Sequence, residues 1–271
     1  AAPDGRIVLG LPRSLHVDAG SPFVGRDAEL ERLRERWGQV CAGTRSAVVV
    51  GGEPGIGKTR LAAEFGQVVL TQDALVLYGR CDEGLAVPYQ PFVEALRPYA
   101  RAVGLPRLRT ELGDLAPELG RMLPELAGLG KPLRGDPESE RFALFESVAA
   151  LLEAMTRRQP ALVVLDDLHW ATDPTLLLLR HLIRSDRQFS VLLLCTYRET
   201  ELNPRGSLAR LLANLQRDTG TECLSIGGLD EPAIAALLRA MVGPSPDRHG
   251  SPLVPELRAQ TAGNPFFICG L

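Results

Sequence analysis

The feature that most constrains this chain is an apolar run that enters a glycine-rich turn and leaves it as a helix. The run is Ala47–Val50, and the turn is Gly51–Thr59. After the turn, apolar residues recur at the spacing of one helical face, namely Leu61, Ala62, Phe65, Val68 and Val69. The stretch therefore predicts a buried strand, a tight turn and a helix in direct succession.

The turn matches a phosphate-binding pattern. Gly52, four further residues and then Gly57-Lys58-Thr59 fit G-x-x-x-x-G-K-[ST]. Glycines let backbone N–H groups curl around an anion, and the following helix directs the positive end of its dipole at it. Lys58 can reach the β- and γ-phosphates, and Thr59 offers a hydroxyl to Mg²⁺. An ordinary strand-to-helix turn is the alternative. The residues predicted to contact the nucleotide here are Gly52, Pro54, Gly55, Ile56, Gly57, Lys58, Thr59 and Arg60.

A pair of acids follows another apolar run. Ala161–Leu165 is typical of a strand and is followed by Asp166 and Asp167. In a parallel sheet, the carboxyl end of this strand faces the same edge as the phosphate loop. We predict that Asp166 accepts from a Mg²⁺-bound water or helps to fix the ion, and that Asp167 orients or deprotonates the attacking water. A capped turn after a strand is the alternative. An Asp in place of the longer Glu at the second position predicts slow turnover.

Arg198 is a candidate for recognising the terminal phosphate. It follows the apolar strand Ser190–Thr196, which we expect between the first and third strands of the sheet. Its guanidinium could reach the γ-phosphate and distinguish ATP from ADP, and Thr196 could assist through its hydroxyl. A surface arginine in a loop is the alternative.

Two further groups of residues leave two interpretations open. Three arginines on or just after the next helix could act in trans on a neighbouring nucleotide, although a solvated basic face is favoured. They are Arg180, Arg184 and Arg187. For His169 and Trp170, which follow the acid pair, local packing and a catalytic role are equally compatible with the sequence.

Strand-like and helix-like segments alternate up to Gly228, and beyond it the pattern is helical. This alternation predicts an α/β fold with three layers, in which helices cover both faces of a parallel sheet of five strands. We expect a leader or linker over 1–22, a nucleotide-binding core over 23–228 and a helical lid over 229–271. The chain stops as a new apolar segment begins, which suggests a piece of a longer protein.

Three helices have predicted aspartate caps, which are Asp27, Asp136 and Asp173. The helix after Asp136 has Pro137 at its first position and a predicted apolar face that begins with Phe142.

Composition excludes several classes of protein. The net charge of −3 gives no global basic field that would attract nucleic acid. No apolar stretch reaches membrane-spanning length, and no secretory leader is visible. The five cysteines form no C-x-x-C pair, which favours a reduced, cytoplasmic protein without membrane partners.

Five segments together carry a family resemblance. They are Phe23–Leu30, Gly52–Arg60, Leu165–Ala171, Thr196–Arg198 and Gly263–Phe267. In this order they resemble the ATPase module of the STAND class of AAA-like P-loop NTPases, and most closely that of the large ATP-binding LuxR-family bacterial regulators. The resemblance spans about residue 23 to the end of the chain, and the region 104–137 contributes no motif to it.

The resemblance implies the strand order 5-1-4-3-2, further site residues and a switch. Val24, Gly25 and Arg26 would line the adenine and ribose side of the pocket, and Pro265 in the lid would press on the nucleotide from the other side. The module would be closed with ADP and able to self-associate with ATP. In such regulators DNA is bound by a C-terminal helix-turn-helix, which this chain does not contain. Similar modules are fused to nucleotide cyclases and to Ser/Thr kinases.

The sequence thus favours a Mg²⁺-dependent ATPase that serves as a conformational switch. Two other classes remain open. The first is a scaffold that holds ADP or ATP without useful turnover. The second is a motor-type AAA+ ATPase that acts on DNA or protein and forms stable rings.

Overall fold

Five strands form one parallel sheet in a computed structural model that describes residues 6–17, 22–217, 220–242 and 253–270. The strands are β1 (Ser46–Gly52), β2 (Leu75–Arg80), β3 (Ala161–Asp166), β4 (Val191–Arg198) and β5 (Thr221–Ile226). Their order across the sheet is β2-β3-β4-β1-β5, and all four pairings are parallel. The predicted α/β class and strand order are confirmed.

Helices cover both faces of the sheet. They are α1 (Asp27–Cys41), α2 (Lys58–Leu70), α3 (Gln90–Val103), α4 (Leu105–Leu112), α5 (Pro137–Thr156), α6 (Asp173–Ile183), α7 (Ser207–Leu215), α8 (Glu231–Val242), α9 (Leu253–Thr261) and α10 (Pro265–Gly270). Short 3₁₀ helices lie at Arg13–Leu15, Gly113–Arg121, Pro124–Leu129, Leu168–Trp170 and Glu199–Glu201. Within the described ranges, no helix combines the length and apolar character that crossing a bilayer requires.

Alternate side chains of strand β1 pack on opposite faces of the sheet. Val48 and Val50 of β1 pack with α1 and α2 around Phe65, whereas Ala47 and Val49 belong to the core under α3, α5 and α6. All seven residues of β1 are buried. This pattern is expected for a parallel strand covered on both sides, and it explains why β1 is continuously apolar rather than alternating.

The carboxyl ends of the parallel strands meet at one edge. Gly52, the first glycine of the phosphate-binding motif, pairs with Arg198 of β4 and Ile226 of β5. Asp166, at the end of β3, pairs with Arg80 of β2. Strand β4 extends to Arg198, beyond its predicted end at Thr196. The sheet therefore brings the loop, the acids and Arg198 to the same edge.

One aspartate cap is confirmed and two are wrong. The carboxylate of Asp136 accepts hydrogen bonds from the N–H groups of Glu138 and Ser139, and Pro137 opens α5 as predicted. Asp27 and Asp173 are the first residues of their helices instead of caps. There the carboxylates lie in the first turn, where the helix dipole still favours a negative charge.

The apolar face of α5 begins later than predicted. Phe142 is 58% exposed, and its ring packs edge-on against that of His181, 5.8 Å away. Phe145 lies one turn later and is buried in the core. The helix therefore enters the core only after its first two turns, a feature that periodicity alone does not reveal.

Helices α8, α9 and α10, which we call the lid, pack around Leu229, Ile234, Leu257 and Ile268. Val24 packs against this cluster from the start of the chain. The Leu229 N–H donates to the Gly263 carbonyl over 2.7 Å, which joins the start of α8 to the turn before α10.

The leader predicted for 1–22 is described only in part, because residues 1–5 and 18–21 lie outside the described ranges. Within residues 6–17, Leu15 is fully buried against the α2 side of the sheet. The Gln159 side chain donates to the Ile7 carbonyl over 3.0 Å. This segment therefore packs on the core. The domain boundaries as a whole stay a prediction.

Candidate functional site

The phosphate loop curls where its sequence predicts. Gly55 and Gly57 have φ angles of +75° and +102°, a left-handed conformation that side chains other than glycine rarely adopt. Gly57 occupies the N-cap position of α2, so the first N–H groups of that helix, from Lys58 onward, have no partner within the helix. These N–H groups and the dipole of α2 point into the loop, which makes it a cradle that fits an anion.

Lys58 folds back onto the loop. Its side chain is buried, and its Nζ donates to the carbonyls of Gly52 (2.9 Å) and Glu53 (2.8 Å). Burial lowers the pKa of the ammonium group, while the nearby Asp167 carboxylate raises it. The positive charge is therefore already inside the loop, and only two carbonyl contacts must be exchanged for an anion to bind it.

Asp166 collects three hydroxyl donors. Thr59 Oγ1 donates to Oδ2 over 3.0 Å, Tyr78 donates to the same oxygen over 2.9 Å, and Thr196 donates to Oδ1. A buried carboxylate next to a threonine hydroxyl is a set of hard oxygen ligands, which fits Mg²⁺. Burial and the adjacent Asp166 charge raise the pKa of the Tyr78 hydroxyl, so Tyr78 stays a donor.

Sequence reasoning did not identify Tyr78. The signal was available in principle, because Tyr78 lies two residues before Arg80 on β2, the strand next to β3 in the predicted order. A tyrosine hydroxyl in an otherwise apolar strand, next to a strand that ends in two acids, indicates a hydrogen bond between the hydroxyl and one of those acids.

Asp167 occupies a strained position beside Asp166. Its φ of +59° is uncommon for a residue other than glycine, and it opens the 3₁₀ helix Leu168–Trp170. Its N–H donates to Thr196 Oγ1 over 3.0 Å. Burial and then the Asp166 charge raise the pKa of its carboxyl, while Arg198 and Lys58 oppose that shift. Its Oδ1 lies 3.8 Å from Arg198 Nε and 3.8 Å from His169 Nδ1, so the second acid faces these two side chains.

Arg198 is held by two acids. Its Nη1 donates to Glu201 Oε1 over 2.6 Å, and its Nε lies 3.8 Å from Asp167 Oδ1. The Glu201 contact raises the pKa of the guanidinium. The position at the carboxyl edge agrees with the predicted sensor role, which remains a prediction.

His169 lies next to Arg198 and Asp167. Its side chain is 1% exposed, and its Nδ1 accepts the Arg198 N–H over 3.4 Å. Burial lowers the pKa of the imidazole to about 4. The ring packs against Trp170 with centroids 5.1 Å apart, so local packing is one of its roles.

The N-terminal motif reaches the loop through Arg26. The Arg26 guanidinium is buried and donates to the carbonyls of Ile56 (3.1 Å) and Gly227 (2.6 Å). Gly25, with φ +66°, leaves no room for a Cβ because Ala233 of the lid occupies that space. Of the three predicted residues, Arg26 thus clamps the loop, and Gly25 allows the lid to approach.

A cavity of about 930 Å³ lies between the loop and the lid. Of the residues predicted to contact the nucleotide, its lining includes Val24, Arg26, Gly55, Ile56, Gly57, Arg60 and Pro265. The lining also includes three phenylalanines, namely Phe23, Phe266 and Phe267. Its size is that of a small-molecule site. The cavity therefore brings part of the predicted set together, whereas Gly25, Gly52, Pro54, Lys58 and Thr59 are not among its lining residues.

The lid touches the phosphate loop directly. The buried Asn264 side chain donates through Nδ2 to the Pro54 carbonyl over 2.9 Å. A Cβ on Gly55 would lie 2.7 Å from the Cβ of Phe266. Sequence reasoning singled out the Gly263-Asn264-Pro265 turn but assigned a contact only to Pro265, because nothing in the sequence indicates that Asn264 faces the loop.

Two of the three arginines considered for action in trans, Arg184 and Arg187, lie away from the site of their own chain. Arg187 lies before β4, at the opposite edge of the sheet, and pairs with Glu146 (3.1 Å) and Glu153 (2.9 Å) of α5. Arg184 is the C-cap residue of α6.

A curated protein is similar in sequence to part of this chain. An uncharacterized protein of Rhizobium meliloti (strain 1021) is 30% identical over 192 residues, which cover 66% of this chain and 19% of that protein. The chain thus spans about a fifth of the length of this curated relative.

Solved structures are similar over most of the chain. A chain of the HORMA:CdnC:Trip13 complex of E. coli MS115-1 has a TM-score of 0.47 and 17% identity, with 88% of this chain and 74% of that chain covered. The Aeropyrum pernix Orc1 protein in complex with DNA has a TM-score of 0.45 and 17% identity, with 92% and 58% covered. A RuvB variant of Thermotoga maritima has a TM-score of 0.41 and 15% identity, with 84% and 54% covered.

The sequence model that describes an AAA ATPase domain matches residues 22–194, which is more than half of the chain and includes the phosphate loop and both acids. This match, rather than the solved structures, carries the assignment. The chain belongs to the AAA ATPase domain family.

Proposed function

We propose that this domain is a nucleotide switch that binds ATP with Mg²⁺, hydrolyses it slowly to ADP and phosphate, and couples the bound nucleotide to the position of the lid. The observation that carries the proposal is the convergence of Lys58, Asp166, Asp167 and Arg198 on one edge of the sheet, below a lid that contacts the same loop. An AAA ATPase domain with this arrangement can bind a triphosphate, position a water and respond to the products.

Binding requires Lys58 to exchange the Gly52 and Glu53 carbonyls for phosphate oxygens, a stronger charge-assisted contact. The N–H groups at the start of α2 bind the same phosphates. Thr59 and Asp166 would hold Mg²⁺, either directly or through its water. When bound, Mg²⁺ neutralises the charge that develops on the phosphate oxygens.

Hydrolysis requires a water in line with the terminal phosphate. Asp167 is the residue to orient it, because its carboxylate lies close to both Lys58 and Arg198 at the carboxyl edge of the sheet. Arg198 is the residue to sense the γ-phosphate. Since an Asp carboxylate reaches less far than a Glu carboxylate, turnover is expected to be slow.

The lid supplies the switch. Asn264 and Phe266 of the lid contact the loop. Ala233 of the lid contacts Gly25, and Val24 of the N-terminal motif packs against the lid cluster. A nucleotide can shift a lid equilibrium only if its contacts differ between the two lid positions, and these residues are where the difference arises. We propose that the ADP form is closed and that the ATP form self-associates, as in STAND-class regulators of bacterial transcription.

A single-turnover measurement of phosphate release tests the proposal. The wild-type protein with Mg²⁺ and γ-labelled ATP should release phosphate, and Asp167→Asn should bind ATP without releasing it. Asp186→Asn, a change of the same type in the turn before β4, should behave like the wild type. Failure of the wild-type protein to bind Mg²⁺–ATP would refute the proposal.

One observation favours a second candidate, a scaffold that binds nucleotide without useful turnover. Arg198 already lies 3.8 Å from Asp167, and this contact would hold the second acid away from a water. In that case, binding would survive but phosphate release would not exceed that of Asp167→Asn.

A further inference from the structure

Glu201 lies between two nitrogen atoms. Its Oε1 accepts from Arg198 Nη1 over 2.6 Å, whereas its Oε2 lies 3.5 Å from His169 Nε2, too far for a normal hydrogen bond. His169 Nε2 is buried and has no hydrogen-bond partner among the described residues. Each oxygen of this carboxylate therefore faces a different donor, and only one of the two contacts is made.

The other nitrogen of His169 determines the tautomer. Nδ1 faces the Arg198 N–H over 3.4 Å, a long contact that favours the neutral tautomer with its proton on Nε2, the nitrogen that faces Glu201. A buried N–H without an acceptor is costly, and such groups in native proteins call for an explanation. A state in which Glu201 moves towards the imidazole would satisfy that N–H.

We propose that His169 and Glu201 are positioning residues that set the preference of Arg198 for ATP over ADP. Without a γ-phosphate, Glu201 holds the guanidinium, as observed. With a γ-phosphate, Arg198 leaves Glu201, and the freed carboxylate accepts the Nε2–H of His169. This inference rests on the γ-phosphate sensing in the proposed function and adds two residues to it.

The exchange leaves neither charged side chain without a partner, because Arg198 gains the phosphate and Glu201 gains the His169 N–H. If Arg198 left Glu201 with no substitute donor, a half-buried carboxylate would lose its partner and the ATP state would be disfavoured. His169 supplies the substitute donor without adding a charge. Because the ring is neutral, it leaves the electrostatic potential at the phosphates unchanged. A lysine at this position would add a positive charge there.

The chain contains a matched control far from the site. Glu146 of α5 accepts from His181 Nε2 (2.9 Å) through one oxygen and from Arg187 Nε (3.1 Å) through the other. This trio has the same three residue types, but it lies around α5 and the start of β4, at the opposite edge of the sheet. Glu146→Gln therefore reproduces the charge change of Glu201→Gln without touching the site.

Calorimetry on the purified protein with Mg²⁺–ADP and with the Mg²⁺ complex of a non-hydrolysable ATP analogue tests the inference. The readout is the ratio of the two affinities. Glu201→Gln should raise the preference for the ATP analogue about three-fold, the size of one partly exposed ion pair. His169→Asn, which keeps a polar atom near the Nδ1 position but loses Nε2, should lower it about three-fold.

His169→Gln should restore the wild-type ratio, because its amide reaches the Nε2 position. Glu146→Gln should leave the ratio unchanged. In the Glu201→Gln background, His169→Asn should have less than half of its effect, since the two residues act through one contact. Thermal melting of every variant checks folding. If His169→Asn does not fold, the affinity ratio of Glu201→Gln still tests the inference.

The outcomes separate the inference from the function on which it rests. If Arg198→Ala lowers the ratio but Glu201→Gln and His169→Asn do not change it, the inference is wrong and γ-phosphate sensing by Arg198 stands. If Arg198→Ala leaves the ratio unchanged, both are wrong.

Discussion

At the scale of single residues, the charged groups of the site already have partners inside the chain. Lys58 binds two loop carbonyls, Arg198 binds Glu201, and Asp166 accepts three hydroxyls. Each group is thereby held close to where a nucleotide would need it, so less conformational entropy is lost on binding. The same contacts must be exchanged for a ligand to bind, which makes single substitutions informative.

Lys58→Ala removes the only ammonium group of the phosphate loop. We expect nucleotide affinity to fall by about 2–3 kcal/mol, or roughly 30- to 150-fold, because a charged hydrogen bond to phosphate is lost. Calorimetry with Mg²⁺–ADP measures this. Lys131→Ala is the matched control, since Lys131 is the other lysine of the chain and is exposed. An unchanged affinity in Lys58→Ala would contradict the role of the loop.

The imidazole of His169 makes stability depend on pH. Burial lowers its pKa from 6.5 to about 4, so between these values the unfolded chain binds a proton that the folded protein does not bind. The contribution of His169 to stability is therefore complete above pH 6.5 and is lost as the pH falls towards 4. We expect His169→Gln to weaken the loss of stability over this interval, as measured by urea unfolding at several pH values.

His16→Gln is the control, because His16 is exposed and its ring contacts the nearby Leu11 carbonyl, away from the site. A pH profile of His169→Gln that coincides with the wild-type profile would show that the ring is not held neutral by the fold.

At the scale of elements, the site depends on contacts between segments that are far apart in the chain. Arg26, before α1, clamps the loop to the turn after β5. Asn264, before α10, binds the loop at Pro54. Gly25 allows α8 to approach. Two elements other than its own strand and helix thus hold the phosphate loop, so its conformation should respond when the lid moves.

Asn264→Ala tests the contact between the lid and the loop. The substitution removes one buried hydrogen bond, worth about 1 kcal/mol, so we expect nucleotide to dissociate about five-fold faster. Stopped-flow displacement of a fluorescent ADP measures the rate. Asn214→Ala, on the exposed side of α7, is the control. An unchanged dissociation rate in a folded Asn264→Ala protein would mean that this contact does not hold the lid closed.

At the scale of the whole molecule, the cavity of about 930 Å³ joins the core to the lid, so a ligand there adds contacts to both. Anything that binds the folded state but not the unfolded state stabilises it by mass action. The molecule should therefore report occupancy through its melting temperature.

We expect Mg²⁺–ADP at one hundred times its dissociation constant to raise the melting temperature by roughly 5–10 °C. Chelation of Mg²⁺ by EDTA should reduce the rise, because Thr59 and Asp166 then lose the ion that links them to the phosphates. Scanning calorimetry with and without EDTA measures both effects. A rise that is equal in EDTA would argue against a metal held by these two residues.

What the sequence by itself determined is local. Glycine spacing specifies the curl of the loop, continuous apolar runs specify buried parallel strands, and Asp136-Pro137 specifies the start of α5. The full strand order, in contrast, was implied by the resemblance to AAA-like P-loop NTPases, and right-handed crossovers are compatible with it. Even locally, Asp27 and Asp173 were assigned one residue away from the true caps, since several polar residues near a helix start compete for that position.

The tertiary structure decided which distant side chains meet. Tyr78 reaches Asp166 because β2 lies next to β3, and Asn264 reaches Pro54 because the lid folds back over the loop. His169 and Glu201 face each other only because the ends of β3 and β4 are adjacent. Such contacts join residues separated by tens to hundreds of positions. They depend on how preformed elements pack, and periodicity within one element carries no information about that packing.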